Sequence, residues 1–147
     1  MTTVSPPWAY TLQLPQDPRA PGVARVTLRA VLATHGMADL AADAELLASE
    51  LVTNAYLHSD GPYTLRLRAM EPDRLRVSVW DNNPDIPPPF RDGAVAQPPD
   101  TDEHGRGLVL VQHCADNWGA YLLGASGRFG ESGKLLWVEC GQGASTA

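Results

Sequence analysis

Hydrophobic and polar positions along the chain fall into stretches of two different periods. Between Trp8 and Leu14, the residues Trp8, Tyr10, Leu12 and Leu14 alternate with small or polar ones, which predicts a strand. Pro15, Pro18 and Pro21 then mark a turn and a helix start. From about Arg19 to His35, the residues Val23, Val26, Ala30 and Val31 recur at helical spacing, and Gly36 is placed to end that helix. A second helix is expected from about Ala41 to His58. Ala44, Leu47, Leu51 and Ala55 form its inward stripe, and Ser59-Asp60-Gly61-Pro62 stops it. The period then shortens to two. In the runs 63–70 and 74–81, Leu65, Leu67, Leu75, Val77 and Val79 take one parity, while Arg66, Arg68, Arg74 and Arg76 take the other. That pattern predicts a hairpin turning at Glu71-Pro72-Asp73, with one apolar face and one solvated, arginine-bearing face.

Residues 82–104 show no period. A stretch of that length inside a compact domain marks a functional or mobile segment. Gly105–Ala115 reads as a third helix with Leu108, Val111 and Cys114 inward, and Trp118–Leu123 and Leu135–Cys140 read as two further strands. The resulting order is β-α-α-β-β-loop-α-β-β. Strands come in adjacent pairs, so the expected fold is α+β, a two-layer sandwich with helices on one face of a mainly antiparallel mixed sheet. Successive βαβ crossovers, which a dinucleotide-binding fold needs, are excluded. One domain is expected over residues 8–140, with flexible ends at 1–7 and 141–147.

Composition narrows the function classes. The chain has 147 residues, 44% hydrophobic and 19% charged, which suits one globular core. A net charge of −6 argues against a broad nucleic-acid or anionic-membrane surface. The bases are ten Arg and a single Lys, Lys134, and six of the 13 Pro lie between Pro84 and Pro99. Cys114 and Cys140 have no metal spacing and read as core or near-core thiols in a reducing compartment. The first ten residues carry neither a basic nor an apolar signal region, and no apolar run is long enough to span a membrane, so the expected location is cytoplasmic.

Four places could carry chemistry. On the second helix, Glu50, Asn54 and His58 stand four residues apart on one stripe. A carboxylate and a carboxamide on a rigid element suit a hydrated cation, and the carboxylate could take a proton from an attacking hydroxyl. The alternative is the polar, solvent-facing stripe of an amphipathic helix. Asp81, ending the strand Val77-Ser-Val-Trp-Asp81 and followed by Asn82-Asn83-Pro84-Asp85, is placed to accept a hydrogen bond from a bound base; it is equally a turn-forming Asp. Gly105-Arg106-Gly107-Leu108 lies where the long loop meets a helix, and its glycines would let backbone N–H groups approach an anion. Leu110 fails the dinucleotide fingerprint at that motif. Gly133-Lys134 fails the phosphate-loop pattern, because Arg128 and Leu135 stand at its key positions. Lys134 could reach a phosphate as a point charge, or be an exposed structural lysine.

Taken together and in this order, the boxes Glu50-Leu-Val-Thr-Asn54-Ala, Val79-Trp-Asp81 and Gly105-Arg-Gly107-Leu108 resemble the GHKL, or Bergerat, ATP-binding fold. That fold is shared by DNA gyrase B, the heat-shock chaperone of the ninety-kilodalton class, sensor histidine kinases and mismatch-repair MutL. Within it the chain is most similar to the small bacterial anti-sigma-factor serine/threonine kinases, and the terminal pair Trp118-Gly119 and Gly133-Lys134-Leu-Leu-Trp137 fits as well. The resemblance implies ATP and Mg²⁺ as ligands, with Asn54 on the Mg²⁺ and Glu50 as general base. It implies Asp81 as acceptor from the adenine amino group, with Asn83 beside it. Gly105, Arg106, Gly107, Leu108 and Lys134 would lie around the nucleotide, and residues 82–104 would form a lid. It implies a sigma factor and an anti-anti-sigma protein as partners, a homodimer as a possible state, and neither direct nucleic-acid nor membrane contact. The first glycine box departs from the family pattern. It reads Asp81-Asn-Asn83-Pro-Asp85 with neither glycine, and Leu135 replaces a common Thr.

Overall fold

The computed structural model describes residues 7–88, 90, 115–123 and 133–141. Its elements are β1 (Trp8–Leu14), α1 (Ala20–Thr34), a 3₁₀ turn at Ala38–Leu40, α2 (Ala41–His58), β2 (Tyr63–Glu71), β3 (Arg74–Asp81), β4 (Asn117–Leu123) and β5 (Gly133–Gly141). The strands form a five-stranded sheet in the order β1-β2-β3-β5-β4. Every neighbouring pair is antiparallel. The helices pack on one side of it, so the fold is the expected α+β arrangement. Among the described residues no helix is long and apolar enough to cross a membrane.

Alternation builds the core side of the sheet. Leu65, Leu67, Leu75, Val77, Leu136 and Val138 are all at most 2% exposed and share the face that meets the helices. From the helix layer, Leu28, Leu32, Leu47 and Leu51 complete the seal, and the α2 stripe is the one the spacing predicts. In α1 the buried face differs from the expected one. Val23 and Val26 are 51% and 63% exposed, whereas Ala20, Ala24, Leu28, Val31 and Leu32 face inward. Two rows of apolar residues compete on this helix, and the row with small alanines wins because it lets α1 approach α2 closely.

Gly36 ends α1 as its sequence position suggests. Its φ of 73° lies in the left-handed region that side chains avoid. Gly36 N and Met37 N then donate to the carbonyls of Ala33 and Leu32, at 3.4 and 2.8 Å, and Met37 is buried.

Two expectations about the sheet need correction. The four hairpin arginines are not all simply solvated. Arg74 pairs with Asp116 at 3.3 Å and Arg76 pairs with Glu139 at 2.8 Å, each bracing β3 to neighbouring chain. The last strand also starts earlier than its apolar run. Gly133 and Lys134 are in β5, with Lys134 directly opposite Asp81 in register. Gly133 permits this, because a Cβ there would collide with the Asp81 carbonyl oxygen and the Trp80 indole. Cys140 is a buried thiol, as expected, and burial pushes it up to about 12. Cys114 and the helix expected at Gly105–Ala115 fall, but for Ala115, outside the described residues, as does most of the 82–104 segment.

Candidate nucleotide site

Three chain segments converge at one end of the sheet: the C-terminal turns of α2, the end of β3 with the turn after it, and the start of β5. Between them lies a cavity of about 460 Å³ whose wall includes Asn54, His58, Asn83, Asp85 and Lys134, with Ile86, Pro87 and Pro88 closing one side. Helix period sets the first contribution. Asn54 and His58 are one turn apart, so both reach the same wall, while Leu51 and Ala55 on the adjoining stripe stay in the core.

The turn after β3 is held by asparagines. Asn83 N donates to Asp81 Oδ1 at 2.8 Å, and Asp85 N donates to Asn83 Oδ1 at 2.9 Å, two successive Asx-type turns. Asn83 Nδ2 donates to the carbonyl of His58 at 2.7 Å, satisfying one of the orphan carbonyls at the end of α2. Asn82 Oδ1 accepts from Asp60 N at 3.3 Å. Asn83, which stands where the resembling family carries glycine, therefore ties the turn to the end of α2.

The strongest electrostatic feature is a buried ion pair. Lys134 Nζ donates to Asp81 Oδ1 at 2.9 Å and to the Asn83 carbonyl at 3.1 Å. The two side chains are 1% and 2% exposed. Lys134 is thus neither an exposed lysine nor a loop residue, and its ammonium is bonded at the base of the Asp81 turn. Burial explains why the pairing is needed: an isolated ammonium or carboxylate at such depth carries a cost of several kcal/mol. Asp81 fills its turn-forming role. It is not part of the cavity wall, whereas Lys134 is.

Asn54 Oδ1 is buried and has no hydrogen-bond partner among the described residues. An orphaned amide oxygen on a cavity-wall residue is costly unless a ligand uses it. It fits a hard cation such as Mg²⁺, which takes oxygen ligands and keeps several waters and phosphate oxygens rather than needing an all-protein cage. The described residues hold no cluster of three or more His, Cys, Asp or Glu. One turn before Asn54, Glu50 is half-buried and makes no ion pair among the described residues. Burial raises its carboxyl above the usual range, toward the values at which a carboxylate becomes a better base.

The structure therefore brings Asn54, Asn83 and Lys134 into one cavity wall, with Asp81 bonded behind Lys134 and Glu50 one turn away along α2. Gly105, Arg106, Gly107 and Leu108 lie outside the described residues. His58, on the Glu50–Asn54 stripe that the spacing singles out, lies in the wall as well, while Asp85 and the Asp81–Lys134 pair are not singled out by the sequence as site features. The signal for that pair was the chain's sole lysine beside a glycine at a strand start, but only the β3–β5 register shows that it faces Asp81.

Comparison with known proteins adds one finding. A search of curated proteins finds no match. The family model for the histidine kinase-like ATPase domain matches residues 14–128, well over half of the chain. With an α+β sheet, a one-sided helix layer and a cavity at the end of α2, the chain belongs to the family of histidine kinase-like ATPase domains.

Proposed function

We propose that this ATPase-family domain is a regulatory serine/threonine kinase of the anti-sigma-factor type, which phosphorylates an anti-anti-sigma partner with ATP and thereby controls a sigma factor. The observation that carries the reading is the orphaned, buried Asn54 Oδ1 in the cavity wall, one helical turn from a carboxylate held above its usual range. When bound, Mg²⁺ supplies charge neutralisation to the phosphates, and Asn54 is the residue that would hold it. Glu50 acts as general base. It takes the proton from a serine hydroxyl of the partner as that oxygen bonds to the γ-phosphorus and the bond to the β-phosphate oxygen breaks, releasing ADP. Residues 82–88 shape the cavity through the Asn83 and Asp85 turns, and they position the nucleotide without touching the reacting atoms.

A thermal-shift titration with Mg²⁺ and ATP is the first test, with Asn54→Ala as control. A ligand at 100 times its Kd stabilises by about 2.7 kcal/mol, so a shift that Asn54→Ala loses supports the site. No shift at millimolar ATP refutes nucleotide binding and leaves a protein-contact scaffold. The second test incubates the domain with γ-labelled ATP and the partner. Phosphoserine that appears with wild type and vanishes in Glu50→Gln, with binding intact, supports the kinase.

A second reading has one observation in its favour. The turn after β3 is tied to α2 by Asn83 rather than freed by glycine at that position, which suits a module that binds nucleotide to shape a partner surface without turnover. Measurable ATP binding with no phosphoserine after prolonged incubation selects that reading.

A further inference from the structure

The solvent-facing side of α2 is not built like the outside of an amphipathic helix. Leu46, Glu50, Thr53 and Leu57 follow one another at helical spacing and share one stripe. Charged and polar residues are expected along such a stripe. Instead the two leucines stand 41% and 48% exposed, on either side of the half-buried Glu50 and Thr53. α2 carries neither Lys nor Arg. The flanks of the stripe are already taken. On one, Glu45 is held to α1 by Arg29 at 2.7 Å. On the other, Asn54 and His58 belong to the cavity wall.

We infer that this stripe is the docking ridge for the protein segment that carries the phosphoacceptor serine, and that it selects apolar side chains on both sides of that serine. The inference rests on the kinase reading above and deepens it by naming what the site demands of its substrate. A hydroxyl that gives its proton to Glu50 must come within about 3 Å of the carboxylate. Along the helix axis Leu46 lies about 6 Å to one side of Glu50, and Leu57 about 10 Å to the other. With α1 on one flank and the nucleotide cavity on the other, the segment runs lengthwise and covers both leucines. Their burial supplies binding energy remote from the reacting atoms. It also takes Glu50 further out of water, in the direction in which burial already raises its carboxyl. A second copy of the chain is a poorer occupant. Ridge against ridge would bury Asp43 and Glu50 of both copies with no cation from α2 to meet them.

The probe is a library of serine-centred peptides with randomised flanking positions, given to the full chain with Mg²⁺ and γ-labelled ATP. Label is expected to favour Leu, Ile or Met over Asp on both sides of the serine by about tenfold. The double variant Leu46→Gln with Leu57→Gln keeps good helix formers on an exposed face. It should flatten that preference while the thermal shift with Mg²⁺ and ATP stays as in wild type. Label that ignores the flanking residues, or a preference that survives the double substitution, overturns the inference and leaves the kinase reading standing. No label on any peptide also overturns it, since it asks nothing of the partner beyond the segment around its serine. Phosphorylation of the whole partner then decides the kinase reading separately. A wild-type dimer that the double variant dissolves in sedimentation places a second copy on the ridge and overturns the assignment. A loss in Tm of more than about 5 °C in the double variant means that the chain itself covers the leucines, and overturns it too.

Discussion

Two ion pairs join the same two strands, β3 and β5, at directly opposed positions: Asp81 with Lys134, and Arg76 with Glu139. Their geometry is nearly identical, with N–O distances of 2.9 and 2.8 Å. Their surroundings differ. The first pair is 1–2% exposed at the cavity end of the sheet. In the second, the side chains are 32% and 18% exposed, and the Arg76 guanidinium also lies 4.2 Å over the Trp137 ring. The Coulombic attraction that matters is set by the dielectric around the charges, not by the contact distance. The exposed pair can exchange its partner for water at small cost. The buried one cannot, and its members are mutually obligatory.

The largest expected effect comes from breaking that obligation. Lys134→Met leaves the Asp81 carboxylate buried without its counter-charge, which costs about 3–5 kcal/mol of folding stability. For a chain of this size that is a fall in Tm of roughly 6–20 °C. Lys134→Met with Asp81→Asn recovers most of the loss, because the amide oxygen still accepts from Asn83 N while the charge is gone. Differential scanning calorimetry of wild type and the two variants checks this. A Lys134→Met variant within about 1 kcal/mol of wild type shows that the pair is solvated and the comparison wrong.

Next in size are the glycines that stand beside each pair. Gly133 adjoins Lys134, and a Cβ there meets backbone, the Asp81 carbonyl oxygen, which has nowhere to go. Gly119 lies opposite Trp137, and a Cβ there comes within 2.6 Å of the indole, a side chain that can swing away. Gly133→Ala is therefore expected to cost about 1–3 kcal/mol, and Gly119→Ala less. Urea unfolding ranks the two. Equal costs mean that the β3–β5 end is as yielding as the Trp137 face.

The smaller member of the opening comparison is the Arg76–Glu139 pair itself. A double-mutant cycle with Arg76→Ala and Glu139→Ala should give a coupling of about 0.2–1 kcal/mol. That coupling should shrink in 1 M salt, where screening acts over about 3 Å. A coupling as large as the loss in Lys134→Met, or one untouched by salt, removes burial as the explanation.

These contrasts also show what the sequence could and could not disclose. Strand and helix periods were legible because burial repeats along them: the α2 stripe of Ala44, Leu47, Leu51 and Ala55 and the hairpin's Leu65, Leu67, Leu75, Val77 and Val79 are where the pattern puts them. The buried face of α1 was not, since Val23, Val26 and Ala30 offer a competing row and only contact with α2 selects Ala20, Ala24 and Leu28. Asn54 and Glu50 could be singled out because one helix fixes their separation. The role of Lys134 could not, because it depends on a register between β3 and β5, 53 residues apart, and on the depth of both side chains. Local chemistry reads from spacing; pairing across strands needs the fold.

Glu50 tests the same principle from the other side, as a half-buried charge with no ion-pair partner among the described residues. Burial raises its carboxyl above the ordinary value of 4.5, so the native state holds that proton more tightly than the unfolded chain does. The sign follows from linkage. The stability owed to protonated Glu50 is fully present below the unfolded value and is lost as pH rises through the higher folded one. Glu50→Gln removes the titration while keeping the shape. Its Tm relative to wild type should therefore climb as pH rises above the ordinary value of 4.5 and be flat below it. Thermal melts of both proteins across the range read the difference directly. A constant offset at every pH means that the Glu50 carboxylate is solvated after all. A difference that falls with rising pH means instead that a cation stabilises the charged form, and Glu50 then belongs with Asp81 as a paired carboxylate, unfit to be the base.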